Sequence, residues 1–310
     1  MPVFLLAVIL HIFGLAYQGP VAIQPECVQL AVADSLLSLG RVTAADFVGP
    51  IATSPLARPS VPLTADAGIV LDVGSGLALW KKNIDEPHPL ASLTKLMTAL
   101  VFLDTQPEWE REVAFEKIDI DTTAGNTLIV RPGEQAKVRD LFMASLVSSA
   151  NNATKALARS TGLPETDFIR RMNDKAKFLN LWMTTFADVT GLDAGNVSTV
   201  RDYSRLAQVA FNQPRIKEAL TTKEYSFTTT GIKASHRLFN TDQLLSDATV
   251  SVKAAKTGFI DESGYNFVSL ADANGRDIIL VLFGSASSEA RFSEARSLLQ
   301  WAQMYWRWYI

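Results

Sequence analysis

At 310 residues, with 48% apolar and 20% charged side chains, the chain can bury a sizeable core and has ordinary globular composition. A formal net charge of −3 leaves no electrostatic footprint for nucleic acid. The single cysteine, Cys27, excludes an internal disulfide and a cysteine metal cage. His11, His88 and His236 show neither His-Glu-x-x-His spacing nor a Gly-x-Ser-x-Gly elbow to serve, which argues against metal hydrolysis and a histidine-based triad. Neither a metal nor a cofactor is expected.

Met1 to Tyr17 is apolar apart from His11, about the length of a signal-peptide core, and Gly14-Leu15-Ala16 offers small residues for cleavage. Residues 1–17 are therefore expected to direct export or to anchor the chain at a membrane. Residues 18–64, with six prolines, read as a tether whose one short helix would run from Val28 to Leu39. The globular domain is expected over 65–310. Gly68 to Val73, Gly74-Ser75-Gly76 and Leu77 to Trp80 predict a β-hairpin. A buried helix follows from Ser92 to about Leu103, apolar on nearly every face.

From about Arg139 to Gly231 the pattern is mainly helical, with segments 140–147, 153–159, 168–179 and 200–211, the last capped by Ser198-Thr199. Strands return at 249–256, 265–271 and 277–283, and Asn274-Gly275 marks a tight hairpin. A final helix from Ser288 carries Phe292, Ala295, Leu298, Leu299 and Ala302 on one stripe, and the aromatic end 301–310 is expected to pack on the parent domain, with a membrane-interface role as the alternative. Strands at both ends with helices between predict an α+β fold: one antiparallel sheet flanked by helices, with an inserted helical lobe.

Three short motifs stand out in this frame. Ser92 and Lys95 lie three residues apart, on one face of a helix start. A buried lysine there loses solvation and faces the positive end of the helix dipole, so its neutral amine can take the Ser92 proton. Ser149-Ala150-Asn151 falls at the break between two helices, and Lys256-Thr257-Gly258 at a strand end. A lone Ser-x-x-Lys is expected about once by chance at this length, but Lys-Thr-Gly less than about 0.1 times. The trio, in this order, resembles that of β-lactamases and penicillin-binding proteins.

Each part has a chemical use in acyl transfer. Ser92 is the candidate nucleophile and Lys95 its base. Ser149 can relay a proton toward a leaving amine, and Asn151 can hold a substrate amide. Lys256 and Thr257 offer a cation and a hydroxyl to a carboxylate, and Gly258 admits a substrate backbone to the strand edge. The backbone N–H groups of Ser92 and Phe259 are the expected oxyanion donors.

From about Ala65 to Ala302 the sequence resembles the D-alanyl-D-alanine carboxypeptidases, the low-molecular-mass penicillin-binding proteins. Beyond the trio, the resemblance rests on Gly125-Asn126-Thr127, Arg131-Pro132-Gly133-Glu134 and the stretches 172–176, 186–192, 198–202, 240–245 and 261–265. It implies a penicilloyl-serine-transferase (β-lactamase-like) fold and a catalytic domain over 65–310. The implied substrate is a peptidoglycan stem peptide, the implied covalent inhibitors are β-lactams, and the implied location is outside the cytoplasm. Two departures are Asn180, where a glycine is usual, and the expected absence of a C-terminal anchoring domain. Removal of a terminal D-Ala through a Ser92 acyl-enzyme is the expected activity.

Alternatives share these residues. An endopeptidase would cut D-Ala–diaminoacyl cross-links. A β-lactamase would need a glutamate for the deacylating water, and no Glu-x-x-x-Asn lies between Asn151 and Lys256. A wall-binding module without turnover would not need an intact Ser92, Lys95 and Lys256.

Overall fold

The computed structural model describes residues 50–52, 59, 62–120, 125–231 and 233–308. The apolar leader 1–17, the expected helix at 28–39 and the last two residues of the aromatic end lie outside the described residues. In chain order the elements begin with β1 (Pro50–Ala52), β2 (Ala67–Asp72), β3 (Ala78–Lys82), β4 (His88–Pro89) and α1 (Lys95–Leu103). Then come β5 (Glu112–Ala114), α2 (Lys117–Ile120), β6 (Gln135–Lys137), α3 (Val138–Val147), α4 (Asn151–Arg159) and α5 (Glu165–Phe178). They are followed by β7 (Val197–Ser198), α6 (Val200–Phe211), α7 (Pro214–Thr221), β8 (Glu224–Thr228) and β9 (Ser235–Phe239). The chain closes with β10 (Ser251–Ile260), β11 (Gly264–Ala273), β12 (Arg276–Ser285), α8 (Ser288–Tyr305) and β13 (Trp306–Trp308).

The main sheet has five antiparallel strands in the order β10-β11-β12-β2-β3, so the first and last segments of the domain join at β12–β2, as expected. Side chains alternate between two cores because successive residues of a strand point to opposite faces. Ile69, Leu71, Ile279, Val281 and Phe283 enter the larger core, which α6 covers. Val70, Ile278, Leu280 and Leu282 enter the other, with Phe292, Ala295, Leu298 and Leu299 of α8. Asn274 and Gly275 take φ of 56° and 82°, the pair of positive angles that a tight two-residue hairpin requires. Thr199 caps α6 by accepting the Asp202 N–H. The helical lobe α2 to α7 is inserted between β3 and the last three strands of this sheet.

The structure departs from the sequence expectation in four places. The single helix expected from Ser92 is a 3-10 turn, Ala91–Thr94, continued by α1. The region read as helical to Gly231 ends with β8, which pairs with β9; β8 alternates Tyr225 and Phe227 with polar residues, but only over five residues, too short a run to override the helical reading around it. Helix α7, opened by Pro214 in its first turn, fell between the periodic segments. Within the segment expected to be a tether, β1 pairs with β13, and Thr64 binds the buried Glu294 of α8 through its N–H and hydroxyl at 2.6 and 2.5 Å.

The described part of the aromatic end packs on the domain. Trp308 Nε1 donates to Asp72 Oδ1 at 3.0 Å, and Trp306 meets Trp301 edge-on. Among the described residues no helix is long and apolar enough to cross a membrane.

Candidate active site

Ser92 lies in the 3-10 turn at the foot of α1, between the sheet edge and the helical lobe. The turn is held from below: Leu90, Leu93, Leu96 and Met97 are fully buried, and the buried Tyr203 hydroxyl of α6 donates to Leu93 O at 2.8 Å. Ala91, just before the serine, has φ of 49°, a left-handed conformation unfavourable for a residue with a Cβ. Gly191 makes that backbone possible, since a Cβ on it would stand 1.8 Å from Ala91 O. Ser92 is only half-buried, so its hydroxyl remains within reach of a substrate.

Lys95 is fully buried, and its Nζ lies 2.9 Å from Ser92 Oγ, 2.7 Å from Asn151 Oδ1 and 2.7 Å from Thr190 O. A neutral amine has two N–H donors and one lone pair. Asn151 and Thr190 take the two donors, which leaves the lone pair for the Ser92 hydroxyl. Burial lowers the Lys95 pKa to about 7, and the charge of Asp188 resists that fall. Sequence reasoning named the helix dipole as a second cause; the structure assigns the shift mainly to desolvation.

Ser149 and Asn151 sit at the α3–α4 break. Ser149 adopts φ of 60°, which turns the chain sharply, and the Asn151 N–H donates to Asn126 O at 2.7 Å. Across the cleft, the buried Lys256 Nζ donates to Ser149 Oγ at 2.8 Å and to Thr257 O at 2.9 Å. Burial pushes its pKa well down, and the nearby charges of Lys95 and Arg291 push the same way. Thr257 Oγ1 is 2.7 Å from Thr241 Oγ1.

Gly258 lies where the edge strand β10 passes closest to the serine turn. A Cβ there would stand 2.9 Å from Leu90 O and 3.2 Å from Ser92 N, so only glycine fits without movement. Phe259 is 45% exposed at the mouth and stacks on Tyr265 with ring centroids 4.3 Å apart.

Thus Ser92, Lys95, Ser149, Asn151, Lys256, Thr257 and Gly258 converge on one cleft, and Phe259 flanks it. The arrangement can generate a nucleophilic alkoxide from serine with a lysine amine as base, and presents the polar groups of Ser149, Asn151, Lys256 and Thr257 to the cleft. Among the described residues no cluster of three or more His, Cys, Asp or Glu could hold a metal ion.

Sequence reasoning assigned no part to Thr190, Asp188, Tyr203, Thr241 or Arg291. Asp188 accepts the N–H groups of Thr190 and Gly191 at 3.2 and 2.8 Å, which aims the Thr190 carbonyl at Lys95. The stretch Asp188-Val189-Thr190-Gly191 was a visible turn signal. Arg291 donates from α8 to Gly258 O at 3.2 Å, and no local pattern marked it.

A family model described as D-alanyl-D-alanine carboxypeptidase, peptidase S11, matches residues 53–287. The D-alanyl-D-alanine endopeptidase of Pseudomonas aeruginosa is 30% identical over 278 residues, covering 88% of each chain. The carboxypeptidase DacC of Escherichia coli is 33% identical over 254 residues, covering 78% of this chain and 62% of its own. Among solved structures, the Streptomyces K15 DD-transpeptidase superposes with a TM-score of 0.73 at 27% identity, over 78% of this chain and 97% of its own. The D-alanyl-D-alanine carboxypeptidase of Mycobacterium tuberculosis H37Rv does so with 0.72 at 25% identity, over 81% of this chain and 96% of its own. With the family model spanning most of the chain, relatives this similar and the same fold in solved structures, the chain belongs to the peptidase S11 family of D-alanyl-D-alanine carboxypeptidases, the low-molecular-mass penicillin-binding proteins, and has their α+β penicilloyl-serine-transferase fold.

Proposed function

We propose that the protein is a serine DD-peptidase that opens the bond after a D-Ala residue in peptidoglycan stem peptides, through an acyl-enzyme on Ser92. The observation that carries this reading is the buried Lys95 amine, with both N–H donors engaged and its lone pair left to Ser92. Ser92 Oγ attacks the carbonyl carbon of the D-Ala residue while its proton passes to Lys95. The N–H groups of Ser92 and Phe259 receive the oxyanion. As the tetrahedral intermediate collapses, the C–N bond breaks and a proton reaches the leaving amine through Ser149. Asn151 holds the substrate amide, and Lys256 with Thr257 holds the carboxylate of the leaving group. Water, deprotonated by Lys95, then releases the acyl group and restores Ser92.

The leaving group can be a terminal D-Ala or a diamino acid in a cross-link. Terminal D-Ala release is the sequence expectation. Cross-link cleavage is favoured by one observation: the endopeptidases of P. aeruginosa, Haemophilus influenzae and E. coli are matched over 82–88% of their own length, whereas the carboxypeptidases are matched over 62–66% of theirs. We therefore rank endopeptidase activity first. Such a substrate lies outside the cytoplasm, consistent with an export role for residues 1–17.

Offering the protein cross-linked muropeptide dimers and pentapeptide monomers side by side tests the choice. Dimer cleavage faster than D-Ala release supports the endopeptidase; the reverse order restores the carboxypeptidase. Incubation with a penicillin, followed by intact mass, tests the shared mechanism. One adduct per chain, persisting for minutes, is expected, because the ring-opened leaving group of a penicillin stays attached and blocks the path to Lys95 that a departing peptide amine opens to water. Loss of the adduct within seconds would move the assignment to a β-lactamase.

A further inference from the structure

Two charged side chains lie on elements that pack against each other and against β10, next to Thr257 and Gly258. Asp242 opens the 3-10 turn Gln243–Ser246; its Oδ1 accepts the Leu244 N–H at 2.9 Å, while its Oδ2 is buried without a hydrogen-bond partner. The turn packs against both β10 and α8. On α8, the Arg291 guanidinium donates to Gly258 O and to Ser288 Oγ, each at 3.2 Å, and lies over the rings of Tyr265 and Phe292. Its Nε is likewise buried and unpartnered. An unpaired buried donor and acceptor on neighbouring groups is an unusual combination, because each forgoes a bond worth having in a low-dielectric setting.

Placement gives the pair a part in the cleft. Thr241, next to Asp242 in the chain, bonds to Thr257, and Arg291 bonds to the carbonyl of Gly258. Both groups therefore adjoin the strand residues assigned above to the substrate carboxylate. We propose that Asp242 is a positioning residue for the carboxylate subsite, acting through Arg291: ionised, it offsets the guanidinium charge, and protonated, it releases that charge to a bound carboxylate.

The charge environment is consistent with such a role. Burial pushes the Asp242 carboxyl up to about 6, against the Leu244 and Leu245 N–H groups and the charge of Arg291. Burial also lowers Arg291 to about 10, and Tyr265 of β11, Asp242 and Glu289 of α8 all act to raise it. The remaining charge facing Arg291 is Lys256 of β10. Glu289 is exposed and screened by solvent, so Asp242 is the buried anion of the group. A carboxylate arriving beside Arg291 disfavours the ionised form of Asp242, so binding takes up protons near pH 6.

This inference rests on the carboxylate subsite of the DD-peptidase reading, and the experiment separates the two. Calorimetry of Ser92→Ala with a peptide ending in D-Ala-D-Ala, in buffers of different ionisation enthalpy, reads binding without turnover. Near pH 6 the free acid should take up more protons than the C-terminal amide, and this excess should fall in Ser92→Ala/Asp242→Asn to the part that Lys95 and Lys256 supply. Asparagine keeps the Oδ1 acceptor for Leu244, so the turn is retained.

In the active protein, the KM preference for acid over amide should rise about three- to tenfold from pH 8 to pH 5, with kcat following Lys95 for both peptides. Asp242→Asn should raise the preference at pH 8 and flatten its pH dependence. A flat wild-type ratio, binding without proton uptake, or an Asp242→Asn protein whose uptake and pH response match the wild type would overturn the proposal. Proton uptake without turnover would sustain it while removing the DD-peptidase reading. No binding at all would remove both.

Discussion

Lowering the pH from 8 to 5 should slow the limiting rate of Ser92 acylation roughly a hundredfold, because the neutral fraction of an amine with pKa near 7 falls by about that factor. The magnitude comes from burial. Moving Lys95 from 10.5 to about 7 means the ammonium form is disfavoured by roughly 5 kcal/mol relative to water. The assay is the first-order rate of penicilloyl-adduct formation at saturating β-lactam from pH 5 to 10, read by intact mass. Saturation removes the contribution of carboxylate binding. A plateau above about pH 8, a midpoint near 7 and a tenfold fall per unit below it are expected.

Asp188→Asn should move the midpoint down, because the Asp188 charge opposes the fall in the Lys95 pKa. The sign for stability follows from the same shift. The unfolded chain holds the lysine proton more tightly between pH 7 and 10.5, so the wild type should gain stability with pH across that window. Relative to Lys95→Met, the slope is about 1.4 kcal/mol per pH unit at most. An acylation rate that kept climbing toward pH 10.5 would show that Lys95 is an ordinary ammonium, and the base assignment would be lost.

Ser92→Ala should form no penicilloyl adduct and lose less than about 1 kcal/mol of stability, since among the described residues the Ser92 hydroxyl hydrogen-bonds to Lys95 and caps no helix; any labelling of this variant would exclude Ser92 as nucleophile. Gly258→Ala should slow acylation and cost about 1–3 kcal/mol in denaturant unfolding, because its methyl would press on Leu90 O and Ser92 N; unchanged acylation would show that the strand yields freely. Tyr203→Phe leaves Leu93 O without its buried donor and should cost about 1–2 kcal/mol, with a smaller loss of acylation rate; an unaltered unfolding midpoint would contradict the anchoring role given to that hydroxyl.

Much of the fold was legible because it rests on local rules. The period-two runs of β10 to β12, the Asn274-Gly275 turn, the Thr199 cap and the stripe on α8 each declare themselves within about a dozen residues. The β5–β6 pair, the β8–β9 hairpin and the two-residue pairing of β4 with β7 did not. Their strands run two to five residues, too short for a period of two to stand out even where it is present, as at Tyr225 and Phe227 of β8.

The catalytic groups divide in the same way. Ser92 and Lys95 share a face because three residues make about one helical turn, and Ser149, Asn151, Lys256, Thr257 and Gly258 sit in short motifs whose chemistry is local. The sequence by itself therefore determined which groups could act and the α+β frame that carries them. Only the tertiary structure decided that Thr190 O and Asn151 Oδ1 would engage both donors of Lys95, that Lys256 would reach Ser149, and that Asp242 and Arg291 would each keep a buried polar atom without a partner. The physical reason is desolvation. A proton affinity depends on how much water and charge surround a group from every side, and those surroundings come from segments up to about a hundred residues away in the chain.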